Sequence, residues 1–248
     1  MQTRSSANWI SLPGYFDRHN LSSIFESSNG YGIPDLDYSI PPIPESLVPY
    51  NIRIRSQLGY HGLGIHFFLD DYRFEQCWIR PEAGLERVKA AEVVLTPDFS
   101  LFMDTPKAVQ IYNVYRNRWV GKFWQTHGIN VIPTLSWSDK ASYEFCFLGV
   151  PQKTTVAVST VSVTEHTKND FLDGFSEAMR QLNPLNVLSY GKVIPEMLEI
   201  CHNIRSYKAS FEGLRKLRKP EEPIGENTTT KPLYSARGDT KWAAEENE

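Results

Sequence analysis

Three aspartates stand where short apolar runs end: Asp70 and Asp71 directly after the run 65–69, and Asp98 just beyond the run 92–95. Carboxylates that converge can bind a hard divalent cation, or divide the work of a general acid and a general base. Asp98, Asp70 and Asp71 are therefore the candidate catalytic residues, with Asp70 and Asp98 as candidate ligands for a divalent cation. Asp71 also has a plain structural explanation, as the cap of a helix beginning near Tyr72. Asp98 lies seven residues ahead of Thr105, too early to cap the helix that starts there. Other groups near run ends offer binding chemistry for a small-molecule ligand: the hydroxyls of Ser100, Ser159 and Tyr190, and the indole of Trp137, which could stack on a base or sugar ring. Arg116 and Arg118 are candidate anion binders, because a guanidinium presents a planar donor fork to phosphate or carboxylate. They sit with Asn117 on three adjacent helical positions, so one or two face inward at most, and a solvated helix face is the alternative reading.

The elements that must position these residues follow from hydrophobic periodicity. Short apolar runs of strand length occur at 65–69, 92–95, 129–135, 155–158 and 186–188, with an extra strand at 143–147 as an option. Between them lie helical patterns. Residues 72–91 are helix-compatible but broken at Pro81. The clearest helix has Thr105 as N-cap, Pro106 at its first position, Tyr112, Tyr115, Trp119 and Phe123 on one face, and Gly128 as its stop. A second has Thr167 three residues ahead of Asp170, a variant capping box, followed by Phe171, Phe175, Met179 and Leu182. A long last helix is traced by Met197, Cys201, Ile204, Tyr207, Phe211 and Leu214. This alternation predicts an α/β fold with right-handed crossovers and a parallel sheet of about five strands. Five strands fall short of a closed eight-stranded barrel, so a partial or open (β/α) barrel-like sheet is expected, with a doubly wound sheet as the alternative. In both, ligands sit at the carboxyl ends of the strands, where the aspartates fall.

Composition narrows the classes. A chain of 248 residues with 41% hydrophobic and 22% charged content suits a globular domain. The organisation expected is a Pro- and aromatic-rich irregular arm over 1–57 packed on the body, an α/β domain over 58–218, and a disordered acidic tail over 219–248. The net charge of −3 resides in that tail, which has four basic and seven acidic residues. Nucleic acid is therefore not an expected partner, and the basic cluster of Lys208, Arg215, Lys216, Arg218 and Lys219 reads as the complement to a helix dipole. Three scattered cysteines give neither a disulfide framework nor a zinc site. With no apolar run long enough to span a bilayer and no apolar leader pattern, a cytoplasmic location and no membrane association are expected. Gly59, Gly62 and Gly64 precede a strand instead of following one, the wrong context for a phosphate loop. His61 and His66 lack the helical spacing of a zinc-protease pair.

Several segments together resemble the domain-of-unknown-function family numbered 4417, found in bacteria, phages and mobile elements. They are His66-Phe67-Phe68-Leu69-Asp70-Asp71-Tyr72-Arg73-Phe74-Glu75, Leu95-Thr96-Pro97-Asp98-Phe99-Ser100-Leu101, Tyr115-Arg116-Asn117-Arg118-Trp119, Val131-Ile132-Pro133-Thr134, Ser136-Trp137 and Val156-Ala157-Val158-Ser159-Thr160. The resemblance covers about residues 58 to 205. It implies a phage or mobile-element origin, hence a host-cytoplasmic setting, and no established activity. The functional expectation thus rests on the residues: an enzyme acting on a small phosphorylated or polar ligand at the carboxyl edge of the sheet. The alternative is a non-catalytic protein that sequesters a nucleotide-like ligand or blocks a host protein.

Overall fold

A computed structural model describes residues 17–52 and 60–209. Among the described residues seven parallel strands form two sheets, each with its strands in chain order. The first sheet holds β1 (Ser46–Pro49), β2 (Tyr60–His66), β3 (Ala91–Leu95) and β4 (Val131–Ile132). The second holds β5 (Thr155–Ser159), β6 (Asn186–Tyr190) and β7 (Ile204–Tyr207). An isolated parallel bridge, Thr134 with Ala157, joins their facing edges, carried by Leu135 N–H to the Ala157 carbonyl at 2.8 Å and Ala157 N–H to the Pro133 carbonyl at 2.9 Å. At the outer edges the Tyr207 hydroxyl donates to the Pro44 carbonyl at 2.7 Å. The class is thus mixed α/β with parallel sheets of four and three strands, and the described residues form no closed barrel.

Helices α1 (Gln76–Ile79), α2 (Pro81–Val88), α3 (Lys107–Thr126), α4 (Lys168–Leu182) and α5 (Pro195–Ile200) connect the strands. Short helices after β2 are what Pro81 imposes, since it lacks the donor of a continuing turn. Three hydrophobic clusters result. One packs Phe175, Ala178 and Leu182 of α4 on Val156 and Val158 of β5 and on Val187 of β6. Another packs Trp119, Val120 and Trp124 of α3 with Trp78 of α1 and with Ile65 and Val94 of the first sheet. The third draws Val93, Leu95, Ile132, Ala157, Leu188, Tyr190 and Tyr207 from strands of both sheets. The N-terminal segment lies on α3 and on its neighbours: Trp119 Nε1 donates to the Ser23 carbonyl at 2.7 Å, Phe25 packs on Trp119, and Leu36 N–H donates to the Gly149 carbonyl at 2.9 Å. Gly149 has φ of +73°, and a Cβ there would meet the Pro34 carbonyl oxygen at 2.2 Å, so only glycine lets the two segments approach.

Several sequence expectations change. The strand count rises from five to seven because β1 lies inside the Pro-rich arm and β7 lies in the stretch expected to be helix. There Cys201 turns extended after α5, and Ile204 to Tyr207 pair with Val187 to Tyr190. Pairing with an open strand edge outweighs the helical spacing of Met197, Cys201, Ile204 and Tyr207. Residues 143–147 form no strand. A 3₁₀ helix (Lys140–Glu144) occupies this region, capped by the Asp139 side chain accepting from Ser142 N–H. Pro106, not Thr105, is the N-cap of α3, and Thr167 precedes α4 without a side-chain cap bond. Phe211, Leu214, most of the basic cluster and residues 219–248 lie outside the described residues.

The polar face of α3 secures the loop after β3. Asn117 Nδ2 donates to the Pro97 carbonyl at 2.7 Å, Asn113 Nδ2 to the Ser100 carbonyl at 2.7 Å, and Gln110 Nε2 to the carbonyls of Phe102 and Thr105 at 3.1 and 2.8 Å. Residues 110, 113 and 117 follow helical spacing, so one stripe of amides meets successive carbonyls of a chain that makes no ladder of its own. Replacing buried Asn117 by Leu leaves the Pro97 carbonyl with only the Phe99 N–H and strands one Arg118 hydrogen. Asn117→Leu is expected to cost about 2 kcal/mol or more in urea unfolding, with loss of the native near-ultraviolet circular dichroism at lower urea.

Candidate functional site

The loops that leave β3, β4 and β5 at their carboxyl ends bound an open cavity of about 290 Å³. Asp98 and Trp137 from two of these loops and Ser159 from the last position of β5 line it together, with Ser136 and Ser138 beside Trp137. Its far wall comes from Ser162 and Val163 after β5 and from Thr167, Asp170 and Phe171 at the start of α4. Met103 completes the rim.

Asp98 is held in place from two sides. The Asn117 bond fixes the carbonyl of the preceding Pro97, and the Ser136 hydroxyl donates to the Asp98 carboxylate. Burial pushes its proton affinity up to about 7, opposed by the Ser136 hydrogen bond and reinforced by the negative charge of Asp71. Asp71 in turn accepts from the N–H and hydroxyl of Ser100 at 3.1 and 2.8 Å. Ser100 therefore does not line the cavity; it fixes the second carboxylate near the first. A carboxyl that titrates near neutrality at the wall of a cavity can give or take a proton there.

Trp137 forms an aromatic wall. Its ring lies 5.3 Å from Phe171 and 6.1 Å from Phe147, centroid to centroid. Gly174 of α4 makes this position available, because a Cβ there would come within 2.1 Å of the indole Nε1. Ser159 accepts from Val161 N–H at 3.3 Å, which turns the chain at the end of β5 toward Ser162.

The other candidates lie elsewhere. Asp70 is exposed and paired with Arg73 at 3.1 Å, so it and Asp98 do not share the cavity. Arg116 donates to both Glu75 carboxylate oxygens at 2.8 and 3.0 Å and to Asn113 Oδ1 at 2.7 Å, with its guanidinium 3.9 Å above the Phe99 ring. Arg118 is buried against the carbonyls of Leu148 and Cys146 at 2.9 Å each and Thr134 at 3.3 Å, and against the Asn117 side chain. Burial lowers its proton affinity to about 10, leaving it charged at neutral pH. Both arginines are thus bound within the protein, and neither lines the cavity. Tyr190 packs with its ring 4.2 Å from His66 and 5.1 Å from Phe68, also off the cavity wall. His66 Nδ1 accepts from Phe68 N–H, and burial takes the imidazole down to about 3, which keeps it neutral. Among the described residues no group of three or more His, Cys, Asp or Glu could hold a metal ion.

Sequence reasoning left Met103, Thr167, Asp170 and Phe171 out of the site. Asp170 and Phe171 were legible as the first turn of the helix following β5, and a helix start at a carboxyl strand edge was the available signal. Met103 carried none. No helix among the described residues is long and apolar enough to cross a membrane.

Comparison with known proteins assigns relatives but no activity. No solved structure matches the chain. It is 45% identical over 227 residues to the "Gene 1 protein" of Mycobacterium phage L5, covering 86% of this chain and 94% of that one. It is 43% identical over 194 residues to the "Gene 1 protein" of Mycobacterium phage D29, covering 77% and 72%. A family model matches residues 25–208, so the region starts well before residue 58 and takes in most of the Pro-rich arm, including β1. The chain belongs to the family described as Domain of unknown function (DUF4417), with phage proteins among its relatives.

Proposed function

We propose that the cavity beside Asp98 is the active site of an enzyme acting on a small polar molecule, with Asp98 exchanging a proton and Trp137 seating a ring. The observation that carries this reading is a carboxyl on the cavity wall with its proton affinity raised to about 7, a value suited to proton transfer at neutral pH. Ser136 and Ser159 supply hydroxyls for orientation. No lysine or arginine is among the lining residues, which favours the polar over the phosphorylated ligand. The finer architectural reading is an open (β/α) barrel. It is supported by strands in chain order, the Thr134 to Ala157 bridge, the Tyr207 to Pro44 bond and the hydrophobic cluster shared by both sheets. In such a barrel the cavity lies on the face that carries active sites.

A non-catalytic binding role has one observation in its favour. Phe102, Met103 and Val161 are 62%, 60% and 47% exposed in the loops that bound the cavity, an apolar rim that a host protein could cover.

Native mass spectrometry of the full chain after incubation with a fractionated bacterial small-molecule extract tests the first reading. One small-molecule adduct is expected, reduced at least about tenfold by Trp137→Ala, which removes the aromatic wall. In Asp98→Asn the adduct should persist while its chemical conversion stops. A chain that captures nothing, or captures equally well without Trp137, defeats the reading.

The raised affinity of Asp98 also predicts a pH signature in stability. The folded chain holds this proton more tightly than the unfolded one, so its contribution to stability is full below about pH 4 and is lost as pH rises through about 7. Asp98→Asn keeps an acceptor for Ser136 and removes the ionisation. In urea unfolding the variant is expected to match the native chain at pH 4 and to exceed it at pH 8 by about 1–3 kcal/mol.

A further inference from the structure

We infer that the cavity selects an organic cation, an amine or amidine carried on a flat ring, over a phosphate or carboxylate. The inference rests on the reading of the cavity as a ligand site and adds the sign of the ligand's charge. Two carboxylates, Asp98 and Asp170, line the cavity, and no lysine, arginine or histidine does. Asp71, close enough to act on Asp98, deepens the negative potential from the segment after β2. Asp170 stands in the first turn of α4, where its charge offsets the positive end of that helix.

Four cations on the adjoining elements are already engaged, whereas Lys192, in the loop after β6, and His166, just ahead of Thr167, are exposed and lie outside the lining. Lys168 pairs with Glu196 at 2.5 Å, Lys140 with Asp173 at 3.0 Å and Arg116 with Glu75 at 2.8 Å, while Arg118 is buried on carbonyls. A phosphate entering the cavity would therefore meet negative potential without a charged donor. A cation meets the reverse: carboxylates to pair with, serine oxygens to accept its N–H groups, and the faces of Trp137 and Phe171, which attract positive charge. A volume of about 290 Å³, at the small end of ligand cavities, suits a one-ring ligand.

Isothermal titration of the full chain with benzamidine, benzamide and benzoate tests this, since the three share one shape and carry positive, zero and negative charge. Benzamidine is expected to bind at least about tenfold more tightly than benzamide, and benzoate to show no saturable binding. Benzamidine stays protonated from pH 6 to pH 8, so ionisation of Asp98 over that range should raise its affinity about tenfold, and the rise should vanish in Asp98→Asn. Benzoate binding as tightly as benzamidine, or benzamidine failing to bind, overturns the inference. Equal binding of benzamidine and benzamide that Trp137→Ala abolishes overturns the charge preference and leaves the ligand cavity standing. Absence of binding by all three, together with no adduct from the extract, overturns both.

Discussion

An irregular loop that carries a carboxyl on a cavity wall must have its backbone polar atoms satisfied without a strand ladder, and here α3 provides much of that satisfaction. Four carbonyls between Pro97 and Thr105 receive side-chain amide donors from Asn117, Asn113 and Gln110. The same helix sends Arg118 the other way, into the carbonyls of Thr134, Cys146 and Leu148. One helix thus fixes the loop after β3 and the loop after β4, the two segments that bring Asp98 and Ser136 into hydrogen-bond contact. The cost is a guanidinium held inside the protein on neutral acceptors. It is tolerated because several carbonyls share the charge.

With the loop rigid, Asp98 cannot escape its environment. A flexible carboxylate would swing toward water and keep an ordinary proton affinity. Here the Ser136 hydroxyl stabilises the ionised form while burial and the nearby Asp71 oppose it more strongly. Asp71 does not drift away from the like charge, because Ser100 grips both of its oxygens. The perturbed site is therefore a consequence first of burial and then of two anchored carboxylates at the ends of β2 and β3, each fixed by a serine from the loop after β3 or β4.

The outline of this arrangement was legible in the sequence because parallel strands announce themselves twice, by short apolar runs and by the polar residues that end them. Asp98, Trp137 and Ser159, from three successive run ends, do share a cavity. The failures have local causes. Ser46 to Pro49 reads as a Pro-rich arm, since only the exposed edge of β2 makes it a strand. Ile204 and Tyr207 keep a helical spacing while lying in β7 beside β6. Asp70 and Asp71 are neighbours in sequence with opposite fates, one exposed with Arg73 and one gripped by Ser100, which no spacing rule separates. The amide stripe at 110, 113 and 117 had the right period, yet polar residues at helical spacing ordinarily mark a solvated face.

The arginines show most clearly how packing redirects chemistry. By residue type, Arg116 and Arg118 are the strongest anion binders near the strand ends, and a phosphorylated ligand follows naturally from them. In the folded chain Arg116 is paired with Glu75 and Asn113 and capped by the Phe99 ring, and Arg118 is enclosed by carbonyls. Both positive charges serve the surrounding structure, while Asp98 and the exposed Asp170 are among the residues lining the cavity. A cavity with two aspartates and no cation in its lining keeps only the negative half of the local charge for a visitor. The ligand preference proposed for it is thereby set by which side chains the scaffold could not do without, and it runs opposite to the preference that the residue types alone suggest.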